Sequence, residues 1–259
     1  MTIYEDLSRL KLNYLSENLD QFLAQAAKAG HGPKEVITRL TELELIEKSR
    51  RSTDRRLKNA RLGQFKSMAE FDWKWPKEIE RKEIEELFSC AFVQEKKNVV
   101  IAGPQGLGKT MLSRNLALSA VMSGYSAVFV TAARLIMDLG SQESTAALER
   151  RFKRYEKPHL LAIDEIGYVS FDSKAADFLF EIVNRRYEKG TMVMTTNLAF
   201  KDWYKIFPGS PCLTAMIDRL THHCEILKID GDSWRLKESS ARKKDKKGGK
   251  ADEQQTMPN

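Results

Sequence analysis

The run NVVIAGPQGLGKT, from Asn98 to Thr110, limits what this chain can fold into more than any other stretch. An apolar segment breaks into glycines and closes on a lysine and a hydroxyl, a complete match to G-x-x-x-x-G-K-[ST]. Gly103, Gly106 and Gly108 let the backbone curl until its N–H groups converge on an anion, a path that side chains there would obstruct. Lys109 adds a point charge, and Thr110 offers its hydroxyl to a Mg2+ ion bridging the outer phosphates. The helix that begins here aims its positive end at the same place. The competing reading is a glycine-rich turn with Lys109 as an ordinary solvated charge. The flanks decide against it: β-rich Val99 to Ile101 precedes the loop, and MLSRNLALSAVMSG follows with apolar residues at helical spacing. The candidate ATP-binding set is therefore Gly103, Pro104, Gln105, Gly106, Leu107, Gly108, Lys109, Thr110 and Met111.

A chain of 259 residues holds one sizeable α/β core and a small appended module, rather than two full domains. Its formal net charge of +7 favours a polyanionic partner. Part of that charge sits in ARKKDKKGGK, Ala241 to Lys250, where the lack of apolar residues predicts disorder. Cys90, Cys212 and Cys224 lie far apart without C-x-x-C spacing, which argues against a disulfide framework and a zinc site, and they read as buried thiols. The opening MTIYEDLSRL mixes acids with apolar residues, and no apolar run is long enough to span a bilayer. A cytoplasmic protein without membrane contact is expected.

Ahead of the loop, Ile3, Leu7, Leu10, Tyr14, Leu15, Leu19, Phe22 and Leu23 fit one amphipathic helix running to about Ala29. Gly30 and Gly32 end it, and Pro33 starts a second helix with Val36, Leu40, Leu43 and Ile46 as its apolar stripe. That helix continues into EKSRRSTDRRLKNAR, where Lys48, Arg51, Arg55 and Lys58 share one face. Between Lys48 and Arg61 only Asp54 offsets the basic residues, so this stripe is the candidate DNA-binding surface, through phosphates rather than bases. The bland alternative is a solvated helix face. From Phe65 to Glu80 the composition changes, with Phe71, Trp73 and Trp75 alternating before Pro76; a linker docked on the core by its aromatics is expected, an aromatic platform for bases being the other possibility. Ile84, Leu87, Phe88 and Ala91 then suggest a short lead-in helix.

Beyond the loop, Ser126 to Thr131, Leu160 to Ile163, Thr191 to Asn197 and Cys224 to Ile229 read as further strands, with helical patterns between them. Alternation of this kind implies a doubly wound parallel sheet of five strands, with a small all-α N-terminal domain. The expected divisions are 1–70 for the helical domain, 71–97 for the linker and lead-in helix, 98–238 for the ATPase domain and 239–259 for the basic tail.

Hydrolysis of ATP needs a metal ligand, a group that polarises water and a sensor of the departing phosphate. Asp164 ends an apolar strand, where open α/β sheets place their ligands, and with Thr110 it is the candidate Mg2+ residue. Glu165 follows with its side chain pointing elsewhere and is the candidate base. Asn197 ends the next strand, within reach of the γ-phosphate or the lytic water, or else simply favours a turn. Arg219 lies near the end of a helix shortly before the last strand; it serves the ATP of a neighbouring subunit or pairs with Asp218 or another acid. His222 and His223 are adjacent, so in a strand they face opposite ways and read as structural. Arg235 is either a phosphate contact or a stacked surface residue.

GPQGLGKT, LLAIDEIGY, RRYEKG, TTNLAFKDW, IDRLTHH and GDSWRLKE, with the helical N-terminal region and its basic run, together resemble the IstB family of AAA+ ATPase helpers of insertion-sequence transposases. More distantly the chain resembles the bacterial helicase loader DnaC. The resemblance covers nearly the whole chain. It implies a P-loop AAA+ fold, Walker A residues Lys109 and Thr110, Walker B residues Asp164 and Glu165, the sensor Asn197, and Arg219 in the arginine-finger region. It further implies ATP-dependent homo-oligomers on duplex DNA, DNA deformation, and recruitment or stimulation of a partner transposase; the loader reading would substitute single-stranded DNA and a replicative helicase. Gln105 and Leu107 replace the usual proline and threonine of the loop, and Trp234 replaces a tyrosine, none of them a side-chain ligand of phosphate.

Overall fold

The computed structural model describes residues 2–168, 172–234 and 237. Arg235 and the tail at 241–250 lie outside them. The chain divides into two compact units, Met1–Lys58 and Asn59–Asn259.

The helical region comprises α1 (Ile3–Arg9), α2 (Asn13–Lys28) and α3 (Pro33–Ala60). The single helix expected from Ile3 to Ala29 is thus two. Lys11 adopts a left-handed φ of 59°, and the Lys11 and Leu12 N–H groups close back on the Ser8 and Leu7 carbonyls at 2.9 Å each. This closure is normally built on glycine, so a lysine at its centre leaves the apolar periodicity uninterrupted and hides the break. The stripe on α3 also differs from expectation: Val36, Leu40 and Leu43 are half-buried, but Ile46 is 65 % exposed. A buried position on the helix is instead Glu44, whose carboxylate accepts the Leu15 N–H at 3.0 Å.

In the second unit α4 (Arg81–Leu87) and α5 (Ala91–Gln94) lead to β2 (Asn98–Ala102). There follow α6 (Lys109–Met122), β3 (Ala127–Thr131), α7 (Ala132–Gly140), α8 (Thr145–Glu156), β4 (Leu160–Ile166) and α9 (Ser173–Arg186). The unit continues through β5 (Thr191–Thr196), α10 (Leu213–Thr221) and β6 (Cys224–Asp230). The sheet has six strands rather than five, because Glu78–Ile79, here β1, pairs antiparallel with the edge of β6. Two residues inside a linker are too few to show any alternation. The order is β1-β6-β2-β5-β4-β3, and β6, β2, β5, β4 and β3 are mutually parallel.

Both faces of the sheet are covered, which is why its strands read as continuous apolar runs. Val100, Val128, Leu161, Ile163, Met192 and Met194 join one core with Leu135, Phe152, Leu179, Ile182 and Met216 of α7, α8, α9 and α10. The alternate residues Val99, Ile101, Phe129, Ala162 and Val193 are buried too, turned by the pleat toward the face on which α6 lies. At the N-terminal ends of the strands Arg186 is 1 % exposed, and its Nη1 and Nη2 donate to the carbonyls of Tyr155, Glu156, Pro158, His159 and Thr191 at 2.7–3.1 Å. Burial pulls this guanidinium down to about 10 without discharging it near neutral pH. Among the cysteines only Cys90 is buried; Cys212 and Cys224 are half-buried, and burial pushes the Cys224 thiol up to about 12.

Candidate nucleotide-binding site

The phosphate loop joins β2 to α6 at the C-terminal ends of the strands, and each of its glycines is braced by a different part of the chain. A Cβ on Gly103 would meet the Ile229 carbonyl of β6, one on Gly106 the Ser233 side chain, and one on Gly108 the Phe71 ring at 2.7 Å. Gly106 and Gly108 also hold φ of 80° and 84°, left-handed values that side chains rarely adopt. Lys109, only 5 % exposed, opens α6 and donates from Nζ to the Gly103 and Pro104 carbonyls at 2.6 Å each. Thr110 donates its hydroxyl to Asp164 Oδ1 at 3.2 Å.

Asp164 is 1 % exposed, and the Thr195 hydroxyl donates to the same Oδ1 at 2.5 Å. Thr195 Oγ1 in turn accepts the Glu165 N–H at 2.9 Å, so one hydroxyl on β5 ties down both acids. The β4–β5 register slips between Ile163 and Ile166, and Glu165 takes a left-handed φ of 65°. A bulge with a left-handed residue re-aims side chains that a regular strand would send to opposite faces. Asp164 therefore turns inward while Glu165 is exposed at the lining of the cavity. Neither Thr195 nor the bulge was marked by the sequence pattern.

The cavity measures about 330 Å³, within the range of small-molecule sites. Gly106 to Met111, Glu165 and Thr195 form one side, and Phe65, Phe71, Trp75 and Trp234 form another. The linker is held there from α6: Arg114 Nη1 donates to the Gln64 carbonyl at 2.9 Å and Asn115 Nδ2 to the Lys66 carbonyl at 3.0 Å. Trp75 Nε1 donates to the Asp232 carbonyl at 2.7 Å and its ring meets Trp234 edge to face at 5.5 Å. The expected docking of the aromatic linker is thus present, and its rings also wall the cavity, which their alternation did not reveal. The Thr110 hydroxyl and the buried Asp164 carboxylate meet beside the loop, an oxygen donor pair that suits a hard divalent cation such as Mg2+.

Two expected residues stand apart. Asn197 follows β5 beside Gly167, off the cavity lining, with its Oδ1 buried and without a partner among the described residues. Arg219 lies near the end of α10, where the next carbonyl, that of Leu220, accepts from Asn98 at the start of β2. This is the end of the sheet opposite the phosphate loop. Arg219 makes no ion pair with Asp218 among the described residues; its guanidinium lies 5.1 Å from the Phe180 ring centre and its Nη1 is buried without an acceptor.

On α3, Lys48, Arg55 and Lys58 are exposed, but Arg51 is half-buried and donates from Nε to Glu47 at 3.0 Å. Glu47 also takes Arg50 at 2.6 Å, and these arginines, Arg50 first, hold its carboxyl down at about 2. Among the described residues the stripe thus carries three cations without an ion pair rather than four; an acid one turn upstream neutralises the other. A second positive surface, outside the earlier pattern, lines a cavity of about 450 Å³ beside the edge strand β3. Arg61, Arg134, Arg151 and Arg154 surround a single carboxylate, Asp138, which accepts from Tyr155 at 2.7 Å and Arg154 at 3.4 Å. Burial, then the Asp138 hydrogen bond, pushes the Tyr155 phenol up to about 12. These arginines are spread over 94 positions of sequence, from Arg61 to Arg154, and no local spacing collects them.

No helix among the described residues is long and apolar enough to cross a membrane. The fold is similar to that of DnaI, with a TM-score of 0.53 at 18 % identity over 64 % of this chain and 89 % of that one. It is also similar to a DNA replication initiation factor, at 0.50 and 18 % over 63 % and 49 %. In sequence it is 38 % identical over 232 residues to the ATP-binding protein named for insertion sequence IS21 in Pseudomonas aeruginosa, covering 90 % of this chain and 88 % of the relative. The corresponding protein named for IS5376 in Geobacillus stearothermophilus is 34 % identical over 236 residues, covering 91 % and 94 %. The profile of the family described as IstB-like ATP binding protein matches residues 5–242, from the N-terminal helices through the last strand. With a P-loop AAA+ fold, a helical N-terminal region and relatives matched along nearly their whole length, this chain belongs to the IstB-like family.

Proposed function

We propose that this protein is an ATP-hydrolysing AAA+ regulator that assembles on duplex DNA, remodels it, and recruits or stimulates a partner transposase. The observation that carries the ATPase reading is the buried Asp164 carboxylate facing the Thr110 hydroxyl at 3.2 Å beside the Lys109 loop. In this reading the loop and Lys109 hold the β- and γ-phosphates of ATP, and Thr110 and Asp164 hold Mg2+, which neutralises charge on the transferred phosphoryl group. Glu165, exposed at the cavity, orients and deprotonates the attacking water; Asn197, off the cavity lining beside Gly167, serves as sensor only if its amide turns toward the γ-phosphate. The aromatic wall of Phe71, Trp75 and Trp234 receives the base.

Arg219 acts on the ATP of a neighbouring copy. Two facts support this: it lies at the end of the sheet away from its own loop, and its Nη1 is buried without an acceptor. For DNA, support comes from Lys48, Arg55 and Lys58 on α3 and from the four-arginine cavity beside β3. We assign residues 1–70 to DNA and partner contact and residues 98–238 to ATP turnover. The transposase and the duplex enter from the insertion-sequence names of the relatives.

Mixing tests the reading. Lys109→Ala and Arg219→Ala proteins are each nearly inactive in phosphate release with DNA, and an equimolar mixture regains part of the activity, because each supplies what the other lacks at one shared interface. Absence of recovery would remove the trans role of Arg219. Filter binding with duplex and single-stranded DNA separates the readings of the partner: a strong preference for single strands would turn this proposal toward a helicase loader.

A further inference from the structure

Two histidines that adjacency in a strand would have driven apart are brought together. His222 caps the C-terminus of α10 in helical conformation, and β6 begins only at Cys224. The His222 and His223 rings consequently lie on the same side, with centroids 4.1 Å apart. Glu188, in the connection from α9 to β5, holds a left-handed φ of 59° and completes a triangle with them. One donor atom from each of Glu188, His222 and His223 falls within 4.8 Å of the other two, and all three residues are exposed. Tyr187 Oη lies 3.0 Å from His222 Nδ1 and also hydrogen-bonds Glu188, so one phenol ties two members of the triangle together.

We propose that Glu188, His222 and His223 bind one divalent transition-metal ion of the Zn2+ type. Two imidazoles and one carboxylate form a borderline donor set that selects such ions over Mg2+ or Ca2+, which favour oxygen alone. Three protein ligands leave the fourth tetrahedral position to water. The Tyr187 contact is the kind of outer hydrogen bond that orients a metal-ligating histidine. The ion staples the α9–β5 connection to the α10–β6 connection, one helical turn beyond Arg219. It is separate from the phosphate loop and stands whether or not the protein hydrolyses ATP.

The test is calorimetric titration of the untagged, metal-stripped full chain with Zn2+, in excess Mg2+ so that oxygen-donor sites are already filled. One Zn2+ per chain is expected, with binding lost in His222→Ala and His223→Ala. Tyr187→Phe should weaken it by about tenfold or more, a loss that histidines acting independently at the surface would not show. Cys224→Ser should bind as the unaltered protein does, and Zn2+ should raise the melting temperature of the unaltered protein but not of His223→Ala. A stoichiometry unchanged in both histidine variants, no binding by the unaltered chain, or binding abolished by Cys224→Ser would each overturn the assignment.

Discussion

At the N-terminal ends of the strands, Arg186 is buried and its two terminal nitrogens are consumed by five carbonyls of its own chain. At the opposite end Lys109 and Asp164 are buried as well, yet their surroundings open onto a cavity of about 330 Å³. Both ends bear the desolvation cost of a charge out of water. The difference lies in what answers that charge: closed backbone at one end, ligand space at the other. Buried charge of the first kind holds the molecule together, and buried charge of the second kind prepares it to bind. Arg219 sits at the structural end too, but among the described residues its Nη1 is buried without an acceptor, and the proposed trans role would group it with the other end.

Substituting the two arginines gives the sharpest test of this contrast. Arg219→Ala should lower DNA-stimulated ATP turnover by about 10³- to 10⁵-fold, the scale of a finger supplied in trans, while leaving the melting temperature nearly unchanged. Should it melt early instead, Arg219 is a structural residue and the contrast fails. Arg186→Met should do the reverse, lowering unfolding free energy in urea by more than about 3 kcal/mol, because several carbonyls lose their donors at once. Turnover per folded molecule should survive at permissive temperature. Thr195→Val probes the boundary between the two kinds: it strips a donor from Asp164 Oδ1 and an acceptor from the Glu165 N–H. A loss of about 1–3 kcal/mol in stability is expected, with more Mg2+ needed for half-maximal turnover. A stability loss with an unaltered Mg2+ requirement would show that Thr195 only braces the bulge.

The smallest expected effect concerns the basic surfaces. Arg61 and Arg134 have no recorded ion pair among the described residues, so Arg61→Ala and Arg134→Ala leave no acid stranded. Each should flatten the dependence of log K on log salt for duplex DNA by about 0.9 if its guanidinium meets a phosphate. Arg51→Ala should change it less than Lys58→Ala, because Glu47 already holds Arg51. Equal slopes for all four would mean that DNA is held elsewhere.

The parts legible in the sequence were those written in local spacing. The loop residues, the apolar runs that become β2 to β6 and the acids at the end of β4 all sit within windows short enough for periodicity to show. What stayed hidden was written across long separations or in backbone conformation. Thr195 meets Asp164 from 31 positions away, and Trp75 meets Asp232 from 157 away. The breaks at Lys11 and Glu165 fall on non-glycine residues in left-handed conformation, which no residue preference announces. The convergence of His222 and His223 depends on the helical conformation of His222 at the end of α10, just ahead of the strand that begins at Cys224.

The three glycines of the phosphate loop rest against Ile229, Ser233 and Phe71, so the loop is wedged from three directions by segments remote from it in sequence. Such a loop has no slack of its own. Any widening at Gly106 or Gly108 runs into the Ser233 side chain or the Phe71 ring. The doorway therefore belongs to the connecting segments, and the loop itself is the fixed threshold.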